Sequence, residues 1–232
     1  MTGVLPPAEE KARSVQRMFD RIAPQYDRVN RVMTGRRDQA WRVALVRRLR
    51  IGPGDTVLDL ACGTGDFAEI ARKAGATVIA LDFARRMLLQ GAGRHVGAMA
   101  FVQGDALQLP LASRSIDAVV SGFALRNFTS LPPVFAELHR ILRPGGRAGL
   151  LEVDRPRNAA LRAGHGVYFN RVVPVIGGLL SDRAAYRYLP ASASYLPPEL
   201  ELLEMLRSAG FGKMQKKNHM MGAIQSIAAV RT

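Results

Sequence analysis

The sequence predicts an α/β fold in which a mostly parallel sheet is covered by helices. Three observations predict it. From Asp55 to Val153 short apolar runs alternate with helix-length segments. The runs are predominantly apolar, as parallel strands buried on both faces require. Two last runs, near 214–218 and 223–230, have no helix between them and should pair as an antiparallel hairpin at the sheet edge. The first strand is Thr56-Val57-Leu58-Asp59-Leu60, followed by a glycine turn and a helix carrying Phe67, Ile70 and Ala71. Thr77 to Leu81 forms the second, Met99 to Val102 the third, Ile116 to Ser121 the fourth and Arg147 to Val153 the fifth, with a helix from Pro133 to Leu142 before the last. Ahead of this unit, Val15, Met18, Phe19 and Ile22 fall at i, i+3, i+4 and i+7, which gathers them on one helical face. Trp41, Ala44, Leu45 and Leu49 repeat the pattern until Gly52-Pro53-Gly54 stops it. Beyond Glu152 the text is irregular until Pro198 to Ala209, a predicted helix with Leu200, Leu203 and Leu206 turned inward.

With 232 residues, 48% hydrophobic and 22% charged, the chain suits a single packed domain and excludes wholesale disorder. Its expected parts are a helical cap (1–50), a ligand-binding core (51–153), a lid insertion (154–197) and a last helix with the hairpin (198–232). One cysteine, Cys62, excludes an internal disulfide and a cysteine-rich zinc site, and reads as a small side chain in a tight turn. His95, His139, His165 and His219 have no metal-ligand spacing and read as surface or packing residues, so no metal is expected. His165 borders the irregular segment, which leaves a proton-transfer role open. The N-terminus lacks a secretory pattern, and the apolar tract 167–180 is broken by Asn170, Arg171, Pro174 and two glycines, too short to span a bilayer. A cytoplasmic protein is expected, peripheral at the inner face of the membrane. A net charge of +14 attracts polyanions, either nucleic acid or an anionic membrane. Nucleic acid is disfavoured because the basic residues are scattered and no aromatic stacking array is visible.

The chemistry gathers at the first strand-to-helix junction, Asp59-Leu60-Ala61-Cys62-Gly63-Thr64-Gly65-Asp66. Gly63 and Gly65 let the backbone turn sharply and approach a ligand, and the next helix points its N-terminus into the same crevice. Asp82 ends the second strand, where an acid commonly holds ribose hydroxyls. Gly104-Asp105-Ala106 follows the third strand, where Asp105 is placed to accept from an adenine amino group or to cap a turn. The glycine spacing also satisfies the dinucleotide-binding pattern. Charge separates the two readings: Asp59 and Asp66 flank the turn and would repel a diphosphate, whereas they suit S-adenosylmethionine, which carries an ammonium and a sulfonium.

These residues resemble the class I S-adenosylmethionine-dependent methyltransferases, with their Rossmann-like fold. The outer segments resemble a narrower group, the C-methyltransferases of menaquinone and ubiquinone biosynthesis. Val15 to Ala23 with Tyr26-Asp27 and Asn30 looks like that family's opening motif, followed by Trp41-Arg42. Leu125-Arg126-Asn127 resembles its signature after the fourth strand, and Tyr186-x-Tyr188-Leu189 a later landmark. The match runs from about residue 15 to the C-terminus. It departs where Gly35 is followed by Arg36-Arg37-Asp38 in place of the family's Gly-x-His, at Gly222-Ala223-Ile224, and at Gly122, often a serine.

The resemblance implies donor contacts at Thr64, Asp82, Asp105, Ala106 and Gly122; the turn adds Asp59, Gly63 and Gly65. It implies methylation of a ring carbon of a reduced polyprenylated quinone, demethylmenaquinol before a benzoquinol. Such a carbon is a poor nucleophile until a neighbouring hydroxyl loses its proton. Arg126 is the candidate cation for the phenolate, directly or through a water, or else forms a structural salt bridge; Asn127 orients the acceptor or caps a turn, and Tyr26 contacts either ligand or packs. The apolar stretch 161–180, with Val167, Tyr168, Phe169, Val172, Val173 and Ile176, reads as a wall for a prenyl tail touching the bilayer or as a packing helix. Expected partners are the quinol, an anionic membrane surface and a second copy of the chain. Rival readings are methylation of oxygen or nitrogen on another apolar acceptor, an RNA methyltransferase or RNA-binding protein, and a fold relative without activity.

Overall fold

The computed structural model describes residues 5–7, 10–97, 99–156, 158–167, 171, 173, 175, 178 and 181–232. Helices α1 (Lys11–Ile22), α2 (Tyr26–Thr34) and α3 (Arg37–Arg48) precede the sheet. There follow β1 (Thr56–Leu60), α4 (Asp66–Lys73), β2 (Thr77–Asp82), α5 (Arg85–Arg94), β3 (Ala100–Gln103), β4 (Ile116–Gly122), α6 (Leu131–Ile141) and β5 (Leu142–Val153). Then come α7 (Ala159–Val167), α8 (Arg183–Ser192), α9 (Glu199–Ser208), β6 (Phe211–His219) and β7 (Ile224–Arg231). The sheet order is β3-β2-β1-β4-β5-β7-β6, parallel except where β7 meets β5 and β6. The predicted hairpin therefore forms, but of its two strands β7 lies inside the sheet and β6 alone is at the edge, opposite β3. Burial explains this: β7 is buried from Ile224 to Ala229, while β6 exposes Lys213, Gln215 and Lys217 on one face, a charged edge that resists further pairing.

Two apolar layers enclose the sheet. One packs α6 and α9 on it through Phe135, Leu138 and Leu206; the other packs α3 and α4 through Leu45, Phe67 and Ala71. Within α9 it is Leu202 and Leu206 that are buried and Leu203 half-buried, whereas Leu200 is 82% exposed. Leu200 belongs to the first turn, one residue after the helix begins at Glu199, and its direction follows the helix phase set by Leu202 and Leu206.

A third cluster joins Met18, Ile22 and Val29 of the cap to Val173, Ala185, Tyr186 and Tyr188. The N-terminal helices and α8 thus make one roof over the C-terminal ends of the central strands. Local signals place its pieces: Asp182 accepts the Ala184 and Ala185 amides to cap α8, and Gly35, at φ +56°, ends α2 in the left-handed conformation that glycine tolerates. Of the predicted lid, Tyr168, Phe169, Val172 and Ile176 lie outside the described residues, as do Asn170, Pro174 and Gly177. Val167 ends α7 and is exposed, and Val173 is buried against the roof. Among the described residues no helix is long and apolar enough to cross a membrane.

The packing predicts a contrast inside α9. Leu206→Ala should cost about 2–5 kcal/mol in urea denaturation, and Leu200→Ala less than about 0.5 kcal/mol. Equal costs would contradict the observed helix phase.

Candidate active site

The strand order reverses between β1 and β4, and a crevice opens there at the strands' carboxyl ends, as in other open α/β sheets. Beneath the roof it divides into two chambers. The first, about 890 Å³ including its mouth, is lined by Gly63, Asp82, Asp105, Ala106, Gly122 and Asn127, with Val15 and Phe19 of α1 across from them. The second, about 860 Å³ including its mouth, is mainly apolar and contains Asp38, Arg42 and Arg126 in its wall. Phe19, Tyr26 and Phe123 line both. The structure thus brings Tyr26, Gly63, Asp82, Asp105, Ala106, Gly122 and Asn127 to the first chamber and Arg126 to the second, while Asp59, Thr64 and Gly65 line neither.

The first chamber is shaped by backbone. The Gly63 amide donates to Asp82 Oδ2 at 2.7 Å and the Ala84 amide to Oδ1 at 2.8 Å, so the strand-end acid is aimed by two amides. Burial raises the Asp82 carboxyl above its ordinary range, and those hydrogen bonds oppose the rise. At Gly122 a Cβ would lie 2.9 Å from Phe67, which excludes any side chain there unless that ring moves. Asp105 is exposed and accepts the Leu107 amide at 2.9 Å through one oxygen.

Three predicted donor residues face elsewhere. Asp59 is buried and accepts the Ala68 amide at 2.8 Å, pinning the start of α4. Its burial pushes the carboxyl up to about 8, against the Ala68 bond and the nearby Arg42 charge. Asp59 is therefore mostly an uncharged acid at neutral pH, and Asp66 accepts from the Gln39 amide at 2.9 Å. The repulsion expected of these two acids gives way to an acid at Asp82 aimed by backbone. Thr64 is buried and donates to Asp27 Oδ1 at 2.6 Å, and Asp27 pairs with Arg94. Gly65, at φ +91°, opens α4 with its Cβ direction 3.4 Å from Phe101.

Arg126 is not a free cation. It is buried in an ion pair with Glu152, which also accepts its backbone amide at 3.3 Å. Asn127 donates to the Phe123 carbonyl at 3.3 Å and accepts from Tyr188 at 3.2 Å, which links the turn after β4 to α8. Tyr26 is half-buried, its ring edge-on to Phe19 at 5.9 Å. Burial raises its phenol above the usual range, with the Arg42 charge the largest opposing effect, so it stands as a neutral hydroxyl. Sequence reasoning missed Glu152 and Asp38. The available signals were an acid closing an otherwise apolar strand, and Asp38-x-x-x-Arg42 spaced to pair on one helix face.

The histidines behave as packing residues where described. His95 lies 6.4 Å from Phe101, His139 bonds Arg231 at 3.2 Å, and His219 bonds Ser226 at 2.9 Å. The side chain of His165 lies outside the described residues. Cys62 is buried and its thiol is pushed well up by that burial, the opposite of an activated nucleophile. No cluster able to hold a metal ion occurs among the described residues.

Two chambers that meet at shared aromatic rings suit transfer between two bound molecules, and the strand order with its antiparallel β7 is that of the S-adenosylmethionine-dependent methyltransferases. A methyltransferase of that class from Thermotoga maritima is 19% identical, with a TM-score of 0.68, covering 94% of this chain and 100% of its own. Another, from Aquifex aeolicus, is 13% identical with a TM-score of 0.64, covering 89% and 98%. The model of the ubiE/COQ5 methyltransferase family matches residues 7–231. The demethylmenaquinone methyltransferase of Roseiflexus castenholzii is 42% identical over 100% of this chain and 97% of its own. The ubiquinone/menaquinone biosynthesis C-methyltransferase UbiE of Syntrophotalea carbinolica is 36% identical over 93% of each. The chain belongs to the ubiE/COQ5 methyltransferase family, and it is an S-adenosylmethionine-dependent methyltransferase.

Asp59 predicts a pH dependence. Its folded pKa of about 8 lies above the ordinary 3.8. Its contribution to stability is therefore complete below about pH 4 and is lost as pH rises toward about 8. Asp59→Asn keeps an acceptor for the Ala68 amide without titrating. Urea denaturation should show the stability of wild type relative to this variant falling between about pH 5 and pH 8 and levelling above. A difference constant with pH would contradict the buried acid.

Proposed function

We propose that this chain methylates a ring carbon of a reduced polyprenylated quinone, converting demethylmenaquinol to menaquinol. The observation that carries this reading is the apolar second chamber, with polar groups confined to a few buried side chains, opening onto the first chamber at Phe19, Tyr26 and Phe123. An apolar acceptor with few oxygens fits such walls.

The residues present fit the donor. Asp82 would hold the ribose hydroxyls, because each of its oxygens keeps acceptor capacity beyond the one amide that aims it. Asp105 and Ala106 would hold the adenine, and Gly63 and Gly122 would leave room beside it. Thr64, Gly65 and Asp59 would act by shaping the turn, since none of them lines the chamber. When bound, S-adenosylmethionine supplies an electrophilic methyl group on a sulfonium.

The chain's own residues prepare the acceptor. Once the hydroxyl proton has passed to solvent at the chamber mouth, Arg126 donates a hydrogen bond to the acceptor oxygen and stabilises it as a phenolate, which makes the neighbouring ring carbon nucleophilic; after methylation that carbon releases its hydrogen as a proton by the same route. Glu152 balances its charge and fixes its direction. Tyr26 offers a neutral hydroxyl at the junction, and Asn127, bonded to Tyr188 and to the Phe123 carbonyl, holds the turn after β4 from the donor side. The roof excludes water, which strengthens each of these interactions.

The segment 154–197 serves as the lid of the acceptor chamber. Peripheral contact with an anionic membrane supplies the lipid acceptor; the +14 charge and the exposed Val167, Met220 and Met221 support it, Met220 standing in the wall of the second chamber.

Transfer of labelled methyl to short-chain analogues of the reduced quinones tests the reading. The naphthoquinol should be methylated on carbon faster than the benzoquinol, and no carbon methylation of either would overturn it. Arg126→Lys should lower turnover at least about tenfold and leave donor affinity within about twofold. Unchanged turnover would remove Arg126 from the chemistry. Arg126→Ala should also cost about 3–5 kcal/mol of stability, because it strands Glu152 in the interior. Flotation with anionic vesicles should carry the protein at moderate salt; failure to float would contradict membrane contact.

A further inference from the structure

The second chamber contains two buried arginine–carboxylate pairs, and the chemistry above uses only Arg126 with Glu152. The other is Arg42 with Asp38, both under 10% exposed, with Arg42 Nη1 donating to Asp38 Oδ2 at 3.3 Å. Asp38 also accepts from Thr34 at 2.8 Å and Gln39 at 3.2 Å, so it is firmly held. Arg42 is held less completely. Its Nε is buried and without a hydrogen-bond partner among the described residues, and the Nε of Arg126 is in the same condition. Buried donors are normally satisfied, and here two residues that line a single chamber each keep an unsatisfied one, as where a ligand supplies the acceptors.

The two guanidiniums share one aromatic neighbour. Their central carbons lie 5.4 and 6.0 Å from the centre of the Phe123 ring, which places them at most about 11 Å apart. Arg42 reaches the chamber from α3 and Arg126 from the turn after β4, so they enter from different walls. Arg42 also rests on Phe67 at 5.1 Å, and its Nη2 is 3.6 Å from the position a Cβ would take at Gly122. Tyr26, shared by both chambers, feels both charges.

We propose that Arg42, held by Asp38, is a second acceptor-binding cation, so that the chamber selects a ring carrying two oxygen substituents, one hydrogen-bonded to each arginine. This rests on the quinol reading and deepens it: a ring with one hydroxyl could be methylated, but it would bind without the second hydrogen bond. Asp38 acts as a positioning residue, and its place in the stretch Arg36-Arg37-Asp38 ties the feature to the part of the chain where the family pattern changes.

A binding cycle tests this without turnover. Calorimetry under reducing conditions would compare 1,4-dihydroxynaphthalene with 1-naphthol, on the wild type and on the charge-balanced double variant Asp38→Asn, Arg42→Gln. Wild type should bind the diol roughly ten- to a hundredfold more tightly than the mono-ol, as expected of a charge-assisted hydrogen bond. The double variant should lose most of that preference while its affinity for the mono-ol changes less than about threefold. An equal loss for both ligands, or an undiminished preference for the diol, would overturn the proposal. Should the variant fail to fold, the wild-type comparison still decides: equal affinities for the two ligands overturn it. Failure of the quinol reading itself would appear separately, as absence of carbon methylation by the wild type.

Discussion

Almost every charged side chain inside this protein is matched to a partner, and the active-site region depends on that matching. Asp27 accepts from Thr64 and pairs with Arg94, joining α2, the glycine turn and α5 through one carboxylate. Arg126 pairs with Glu152 and Arg42 with Asp38. Bare charges at these depths would cost several kcal/mol each. Paired, they let a chamber be dry enough for an apolar acceptor while keeping hydrogen-bond donors in its walls. Among the described residues two buried groups lack such an ion pair: Lys11 donates to the Phe128 carbonyl and lies over the Tyr195 ring, and burial holds Asp59 protonated.

The same matching explains how the roof is fixed. Val29 and Tyr186 supply apolar burial, but an apolar cluster alone does not dictate orientation. The Asp27–Thr64 hydrogen bond does, and it sets Tyr26 beside the turn, with its ring 3.7 Å from the Cβ direction of Gly63. The family's opening motif and its glycine turn are separate in sequence and joined here by one hydroxyl.

Much of the architecture was legible in the sequence because it follows from periodicity. The central strands buried on both faces, the cap helix with Met18 and Ile22 inward and the antiparallel end appear where the apolar runs place them, whereas β3, at the sheet edge, is only partly covered. The position of β7 inside the sheet was not legible, since pairing partners are set by tertiary packing against β5. Leu200 was misplaced because a run of leucines at positions 200, 202, 203 and 206 fits more than one helix phase. Within the site, Asp82, Asp105, Ala106 and Gly122 sit where strand ends must meet. Thr64 and Asp59 were legible as turn residues but not their directions, which depend on Asp27, 37 residues upstream, and on the amide of Ala68. Glu152 and Asp38 were missed because their signals, an acid in an apolar strand and an i, i+4 pair, do not by themselves say that the acid is buried in a site.

The central claim is that donor and acceptor occupy separate chambers joined at Tyr26 and Phe123. A crystal structure of the protein with S-adenosylhomocysteine and a reduced short-chain naphthoquinone tests it most directly. The account places the ribose on Asp82 and the quinol ring between Arg42 and Arg126. A ring bound outside the second chamber, or a ribose that makes no contact with Asp82, would contradict it.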